Sequence, residues 1–252
     1  MNECPEKSDT LASTDRRRFL RAAVGGGALV SAGGFNLIEL AQAKSDDEAV
    51  SSLVRWGLLI DTSKCASDCD ACVTGCVEEH NLQGYGRPQT DAQWIRKVEL
   101  KDKQTGHESS LPVMCQHCDD PPCVDVCPTG ASFKRDDGIV LVDKHICIGC
   151  RYCVMACPYK ARSFIHEKLS NQKSYAPRGK GTVESCTLCV HRVDDGREPA
   201  CVEACHQDGN GAMAFGDLND PGSDIAQRMT NEPSSQIRED LGLNTGVRYQ
   251  HI

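Results

Sequence analysis

Apolar residues in this chain come in short runs, and their patterning predicts brief strands separated by cysteine-bearing loops. Arg55-Trp56-Gly57-Leu58-Leu59-Ile60-Asp61 reads as a strand. Trp94-Ile95-Arg96-Lys97-Val98-Glu99-Leu100 alternates in polarity, as a strand with one buried face does. Gly138 to Asp143 and Ser163-Phe164-Ile165 predict two more strands on either side of a cysteine group. Lys168 to Gly181, with its Pro, Gly, Lys and Asn, reads as a bland loop, and the polar stretch after Gly216 as a tail wrapped over the surface. Beyond Lys44 no apolar run approaches the roughly 20 residues of a membrane span.

The first forty-three residues follow a different plan. Asp15-Arg16-Arg17-Arg18-Phe19-Leu20-Arg21 is basic, Ala22 to about Leu40 is mildly apolar, and Ala41-Gln42-Ala43 is a small-x-small site. That order is the order of an export signal, and consecutive arginines followed by Phe-Leu mark the twin-arginine route. Asp15 departs from the usual Ser or Thr. Gly25, Gly26, Gly27, Gly33 and Gly34 make the apolar part too weak for a membrane anchor, so cleavage is the expected fate. The twin-arginine system moves folded proteins, which suits a chain that must receive cofactors before export. The expected location is the periplasm.

Composition sharpens the picture. The chain has 252 residues and 17 cysteines, with 39% hydrophobic and only 5% aromatic residues. So thin a supply of core side chains suggests that something inorganic organises the interior, since metal-binding free energy is also folding free energy. The formal net charge of −8 argues against nucleic acid as a partner and is compatible with docking to a basic redox partner.

Apart from Cys4 in the expected signal, the cysteines form four quartets. Group one is Cys65, Cys69, Cys72 and Cys76, spaced C-x3-C-x2-C-x3-C. Group two is Cys115, Cys118, Cys123 and Cys127, followed by Pro128. Group three is Cys147, Cys150, Cys153 and Cys157, followed by Pro158. Group four is Cys186, Cys189, Cys201 and Cys205. Group three has the C-x2-C-x2-C-x3-C-P spacing of bacterial ferredoxins, in which three thiolates grip one cluster and the fourth serves another. The fourth cysteine is expected at the start of a helix that opens on the proline, whose missing N–H costs nothing in a first turn. Gly149 is expected to let the backbone approach a sulfide.

Zinc and disulfides compete with this reading. Group four alone, two Cys pairs around a spacer, would pass as a zinc ribbon. Groups two and three crowd their thiolates too closely for separate closed tetrahedra. Disulfides suit an exported protein, but cysteines spaced two and three apart reach one another poorly. No C-x-x-C-H occurs, so no covalent haem is expected. His117 reads as a hydrogen-bond donor near a cluster sulfur or as a surface residue. No Walker loop, nucleophile elbow or dinucleotide fingerprint is present, so no catalytic site is assigned.

Cys115-Gln116-His117-Cys118-Asp119-Asp120-Pro121-Pro122-Cys123-Val124-Asp125-Val126-Cys127-Pro128-Thr129-Gly130-Ala131 resembles the four-cluster ferredoxin subunits of the molybdopterin-oxidoreductase superfamily. So do Cys147 to Tyr159, Cys186-Thr187-Leu188-Cys189, Pro199 to Cys205 and Phe215 to Pro221. The resemblance covers nearly all of the chain after the signal. Within that family, the leader and the tail Leu241 to Tyr249 are most similar to periplasmic ferredoxin subunits of sulfur-metabolising membrane complexes.

The resemblance implies an α+β fold with little regular secondary structure. Two bacterial-ferredoxin-like units are expected, one nested in the other, with clusters as core. Residues 44–104 and 166–216 would form the outer unit, 105–165 the inner unit and 217–252 a C-terminal tail. It also implies four [4Fe–4S] clusters. One would take Cys65, Cys69, Cys72 and Cys205; a second Cys186, Cys189, Cys201 and Cys76. A third would take Cys115, Cys118, Cys123 and Cys157, and the fourth Cys147, Cys150, Cys153 and Cys127. The implied function is electron relay, with an NrfD-like integral membrane quinone-handling subunit and a multihaem cytochrome c as partners, the chain itself being peripheral to the membrane. Kindred subunits serve nitrite reduction, polysulfide reduction and periplasmic hydrogenases. The extra residue between Cys65 and Cys69 departs from the family spacing.

Overall fold

The longest sheet has three strands and is built around the most apolar run of the chain. The computed structural model describes residues 50–252 except 83, 107 and 171; the segment expected to be an export signal lies outside the described residues. Strand β1 (Trp56–Asp61) is central. It pairs antiparallel with β8 (Met213–Asp217), Leu58 opposite Phe215, and parallel with β9 (Val247–Gln250), Leu58 opposite Val247. A strand covered on both faces reads as a continuous apolar run, and Leu58, Leu59 and Ile60 are all buried. Leu58 and Ile60 face the main core, while Leu59 packs with Ala214 and with Ile225 of helix α6 (Asp224–Asn231).

Three two-stranded ribbons complete the strands. Strand β2 (Ile95–Lys101) pairs with β3 (Glu108–Met114), β4 (Ser132–Lys134) with β5 (Val140–Val142), and β6 (Ser163–Phe164) with β7 (Val183–Glu184), all antiparallel. The helices are short: α1 (Ala71–His80), α2 (Pro122–Asp125), α3 (Tyr152–Ala156), α4 (Val190–Asp194) and α5 (Ala200–Gln207). Among the described residues no helix is long and apolar enough to cross a membrane. The architecture is a small α+β one, as expected. The described residues belong to one unit, Lys44–Ile252.

Four of these helices carry the same register. Cys72, Cys123, Cys153 and Cys201 are each the second residue of α1, α2, α3 and α5, each is followed by Val, and each has another cysteine four residues on. Helix α1 packs against α5, and α2 against α3. The first pair approaches closely because Gly75 has no side chain: a Cβ there would lie 2.7 Å from the Cβ of Ala204.

One expectation is corrected here. The fourth cysteine does not open a helix. Cys157 is the C-cap of α3, with φ −72° and ψ 113°, and Cys127 lies two residues beyond the end of α2. Pro158 and Pro128 follow helix ends, where proline is common because it cannot continue the helix and holds the preceding residue extended. Gly149 has φ +69°, and a Cβ on it would run into the Gly181 carbonyl oxygen, so its backbone approaches another stretch of chain closely.

The regions read as loop and tail are better integrated than their polarity suggests. Arg178, in the loop of residues 168–181, is buried and forms a two-point ion pair with Glu184 at 2.7 and 2.9 Å, while Trp94 Nε1 donates to the same carboxylate. After Gly216 the chain supplies a helix and β9, in which Val247, Tyr249 and Gln250 are buried. Tyr249 Oη donates to Pro112 O at 3.0 Å and accepts from Gln116 Nε2 at 3.2 Å. Gly246 N donates to Gln116 O at 2.8 Å, and Asp119 N to Leu243 O at 3.0 Å. The tail therefore clamps the group-two loop.

Changing Tyr249 to Phe removes the hydroxyl and takes one hydrogen bond from each of two buried partners, Pro112 O and Gln116 Nε2, which costs about 1–3 kcal/mol. Denaturant unfolding of anaerobically matured protein should show a lower midpoint. An unchanged midpoint would mean that the tail does not hold the loop.

Candidate iron–sulfur site

Every expected ligand lies in or beside the core. Cys72, Cys76, Cys115, Cys118, Cys123, Cys153, Cys157, Cys186, Cys189, Cys201 and Cys205 are buried; Cys65, Cys69, Cys127 and Cys147 are half-buried; Cys150 is exposed. All sixteen are free thiols. Eight of them share the main core with Leu58, Ile60 and Tyr249, and Cys123 and Cys153 form a second core with Val140 and Val183.

The loops that present these thiols repeat one another. In three C-x-x-C segments the residue before the second cysteine has a left-handed backbone: His117 at φ 43°, Gly149 at 69° and Leu188 at 53°. Such kinks turn successive N–H groups inward, as in anion-binding nests. Backbone N–H groups reach sulfur at several places: Ser132 to Cys127 at 3.3 Å, Leu188 to Cys186 at 3.4 Å, Val183 to Cys147 at 3.5 Å and Ala161 to Cys157 at 3.5 Å. Group one, with its additional residue, has no left-handed residue between Cys65 and Cys69.

The mutual influence of the thiols reports which of them are neighbours. Burial, followed by the proximity of Cys205, Cys65 and Cys69, pushes the Cys72 thiol up to about 12. Cys76 is raised well above the ordinary thiol value by burial and then by Cys186, Cys201 and Cys189. Burial foremost pushes Cys118 up to about 12, with Cys115, Cys123 and Cys157 adding to it. A small cavity is lined by Cys127, Cys147, Cys150 and Cys153, thiols drawn from two quartets. In each set a cysteine from another group joins three partners. On a helix four residues rise about 6 Å, which carries the last cysteine away from the loop of its own group.

Links also run from set to set. Cys201 feels Cys72, Cys186 feels Cys115, and Cys153 feels Cys123. Each set thus has a neighbour in the next. Every thiol of the two middle sets is buried, whereas the half-buried Cys65 and Cys69 lie in one terminal set and the exposed Cys150 in the other.

The chemistry of this donor set fits a multi-iron group. Among the described residues no three Cys, His, Asp or Glu side chains converge on one point as the ligands of a single ion do. Thiols this deeply buried and this near one another stay protonated at neutral pH on their own; iron supplies the positive charge that ionises them together. Buried donors without protein acceptors also occur here. His117 Nε2 and both Nε and Nη1 of Arg162 have no partner, and Arg162 Nη2 donates to Cys123 Sγ at 3.0 Å. Near Cys189, His80 Nε2 lies 3.3 Å from the sulfur, and burial lowers this ring to about 4, leaving it neutral. His117 is 2% exposed, which discards the surface alternative. Arg162 and His80 escaped the sequence reading: no spacing marks them, and only the five-residue offset of Arg162 from Cys157 hints at proximity.

Comparison with known proteins agrees with this chemistry. A family model described as a 4Fe-4S dicluster domain matches residues 107–218. The Hdr-like menaquinol oxidoreductase iron-sulfur subunit 1 of Archaeoglobus fulgidus is 39% identical over 94% of this chain and 98% of its own length. A tetrathionate reductase subunit of Salmonella typhimurium is 40% identical over 77% of this chain and 72% of its own. Protein NrfC of Escherichia coli is 38% identical over 75% and 77%. Buried thiols in ferredoxin-type loops, a dicluster domain and full-length similarity to such subunits lead to one conclusion: the chain belongs to the family of ferredoxin-type [4Fe–4S] iron–sulfur subunits of oxidoreductase complexes.

Proposed function

We propose that this chain is a periplasmic wire of four [4Fe–4S] clusters in a membrane-bound, quinone-linked complex of sulfur metabolism. The observation that carries the reading is the succession of neighbouring thiol sets, two of them wholly buried, with the half-buried Cys65 and Cys69 in one of the remaining sets and the exposed Cys150 in the other. Each cluster, when bound, accepts and releases one electron at a time. The chain's own residues supply thiolates, shield the middle sets from water and offer an accessible edge at each end, near Cys65 and Cys69 and near Cys150. The ligand sets are Cys65, Cys69, Cys72 and Cys205; Cys186, Cys189, Cys201 and Cys76; Cys115, Cys118, Cys123 and Cys157; and Cys147, Cys150, Cys153 and Cys127. This assignment makes two ferredoxin-like units, the inner nested within the outer, and is supported by the packing of α1 on α5 and of α2 on α3.

The finer identity we propose is the role of DsrO in the DsrMKJOP complex. The twin-arginine signature, the tail Leu241 to Tyr249 and similarity to a menaquinol oxidoreductase subunit support it. On that reading the partners are an NrfD-like membrane subunit that handles quinone and a multihaem cytochrome c. The electron-transfer subunit of a tetrathionate, polysulfide or nitrite reductase is the second reading, favoured by the similarity to a tetrathionate reductase subunit. Co-purification of the native complex separates the two by the catalytic subunit that accompanies the chain.

Single Cys→Ser variants test the ligand sets. Protein matured anaerobically should contain about sixteen irons and as many sulfides, four of each per cluster. Cys157→Ser should then remove the same electron paramagnetic resonance signal as Cys115→Ser, and Cys127→Ser the same signal as Cys147→Ser. If Cys157→Ser and Cys147→Ser share one lost signal, each quartet holds its own cluster and the nesting is wrong. About four zinc ions per chain without sulfide would end the cluster reading.

Export is tested separately. Replacing Arg16 and Arg17 together by Lys should trap the protein in the cytoplasm, because the translocase reads that pair. Undiminished periplasmic accumulation of the double variant would refute the twin-arginine assignment.

A further inference from the structure

Arg162 is the most unusual cation in the molecule. It lies between α3 and β6, is 5% exposed, and among the described residues makes no ion pair with a carboxylate. A buried guanidinium cannot shed its charge, so burial demands an anion nearby. The groups that favour its charge are all thiols: Cys123, Cys115, Cys153 and Cys157. Nη2 donates to Cys123 Sγ at 3.0 Å. Arg162 therefore binds sulfur in one ligand set of the inner unit and lies near Cys153 of the other, and Nε and Nη1 remain without a protein acceptor.

His117 faces the same place from the group-two loop. The backbone N–H of Val140 donates to its Nδ1 at 3.0 Å. With Nδ1 occupied as an acceptor, the ring proton sits on Nε2. That N–H is buried and has no partner in the protein.

We propose that Arg162 and His117 are redox-positioning residues, which raise the electron affinity of the two clusters of the inner unit through one fixed cation and one neutral N–H. The proposal rests on the reading that clusters occupy the inner sets. Its physics is that reduction adds negative charge to a cluster. A cation held between two clusters stabilises that charge on either one and weakens the repulsion between two reduced neighbours. Hydrogen bonds to sulfur and local charge are established levers on such potentials. Because Arg162 lies near thiols of both sets, both inner midpoints should depend on it. His117 lies within the loop of Cys115 and Cys118, so its effect should be confined to one cluster.

Redox titration of the full chain, matured anaerobically and followed by electron paramagnetic resonance, tests this. Iron and sulfide content is measured on every sample, and the Cys115→Ser and Cys147→Ser variants identify the inner signals. Arg162→Met should lower both inner midpoints by at least a tenfold change in the reduction equilibrium, 59 mV for one electron, and leave the outer two in place. Arg162→Lys keeps the charge and should retain most of the midpoint. His117→Asn tolerates the left-handed backbone and can still accept from Val140, so it removes the N–H alone; it should lower only the signal that Cys115→Ser abolishes. If Arg162→Met does not take up clusters, Arg162→Lys and His117→Asn decide the matter by the same shifts. Fully loaded variants with unmoved inner midpoints, or shifts spread equally over all four clusters, would overturn the role of these two residues. A wild-type chain without iron and sulfide would overturn the cluster reading itself.

Discussion

Sixteen thiols packed into one small unit pose a problem of charge. As thiolates they would repel one another in a medium that penalises every ion; as thiols they are poor ligands. Burial and mutual proximity drive Cys72, Cys115 and Cys118 up to about 12. Iron resolves the conflict by supplying countercharge where water and lysine cannot. Metal binding and folding are then one process, and a chain with only 5% aromatic residues can still fill its interior.

The scaffold follows from that requirement. Each ligand set needs a tight loop, so left-handed residues recur at His117, Gly149 and Leu188, and short helices follow. Helices of four to ten residues are too short to be stable alone, so they persist because their second-residue cysteines and packed partners fix them. Regular sheet is confined to β8-β1-β9 and three ribbons, which hold the loops from outside.

The thiols differ in their access to water: eleven are buried, four are half-buried and Cys150 is exposed. Side chains from outside the cysteine groups then differentiate the sets: His80 beside Cys189, Lys97 over the carbonyls of Ala66 and Cys69, and Arg162 between Cys123 and Cys153. A uniform set of ligands thereby acquires non-uniform surroundings.

Local periodicity was enough to find β1, β2, β5 and β6 within a few residues, because each is a compact apolar or alternating run. Cysteine spacing alone announced the ligands, since thiolates two and three residues apart suit one kind of metal group far better than others. Tertiary structure decided the rest. Strand β9 pairs in parallel with a strand nearly two hundred residues earlier, and Val247-Arg248-Tyr249-Gln250 has too little apolar content to declare burial. Arg178 hides in a segment of loop composition because its partner Glu184 is made buried by Trp94 and the core, not by anything in its own neighbourhood of sequence. The placement of Arg162 near two thiol sets depends on how α3 and β6 meet the group-two loop. Spacing encodes which atoms can bind iron, being a property of a few covalently linked residues; which charges surround those atoms depends on contacts between distant segments, and only the folded chain determines them.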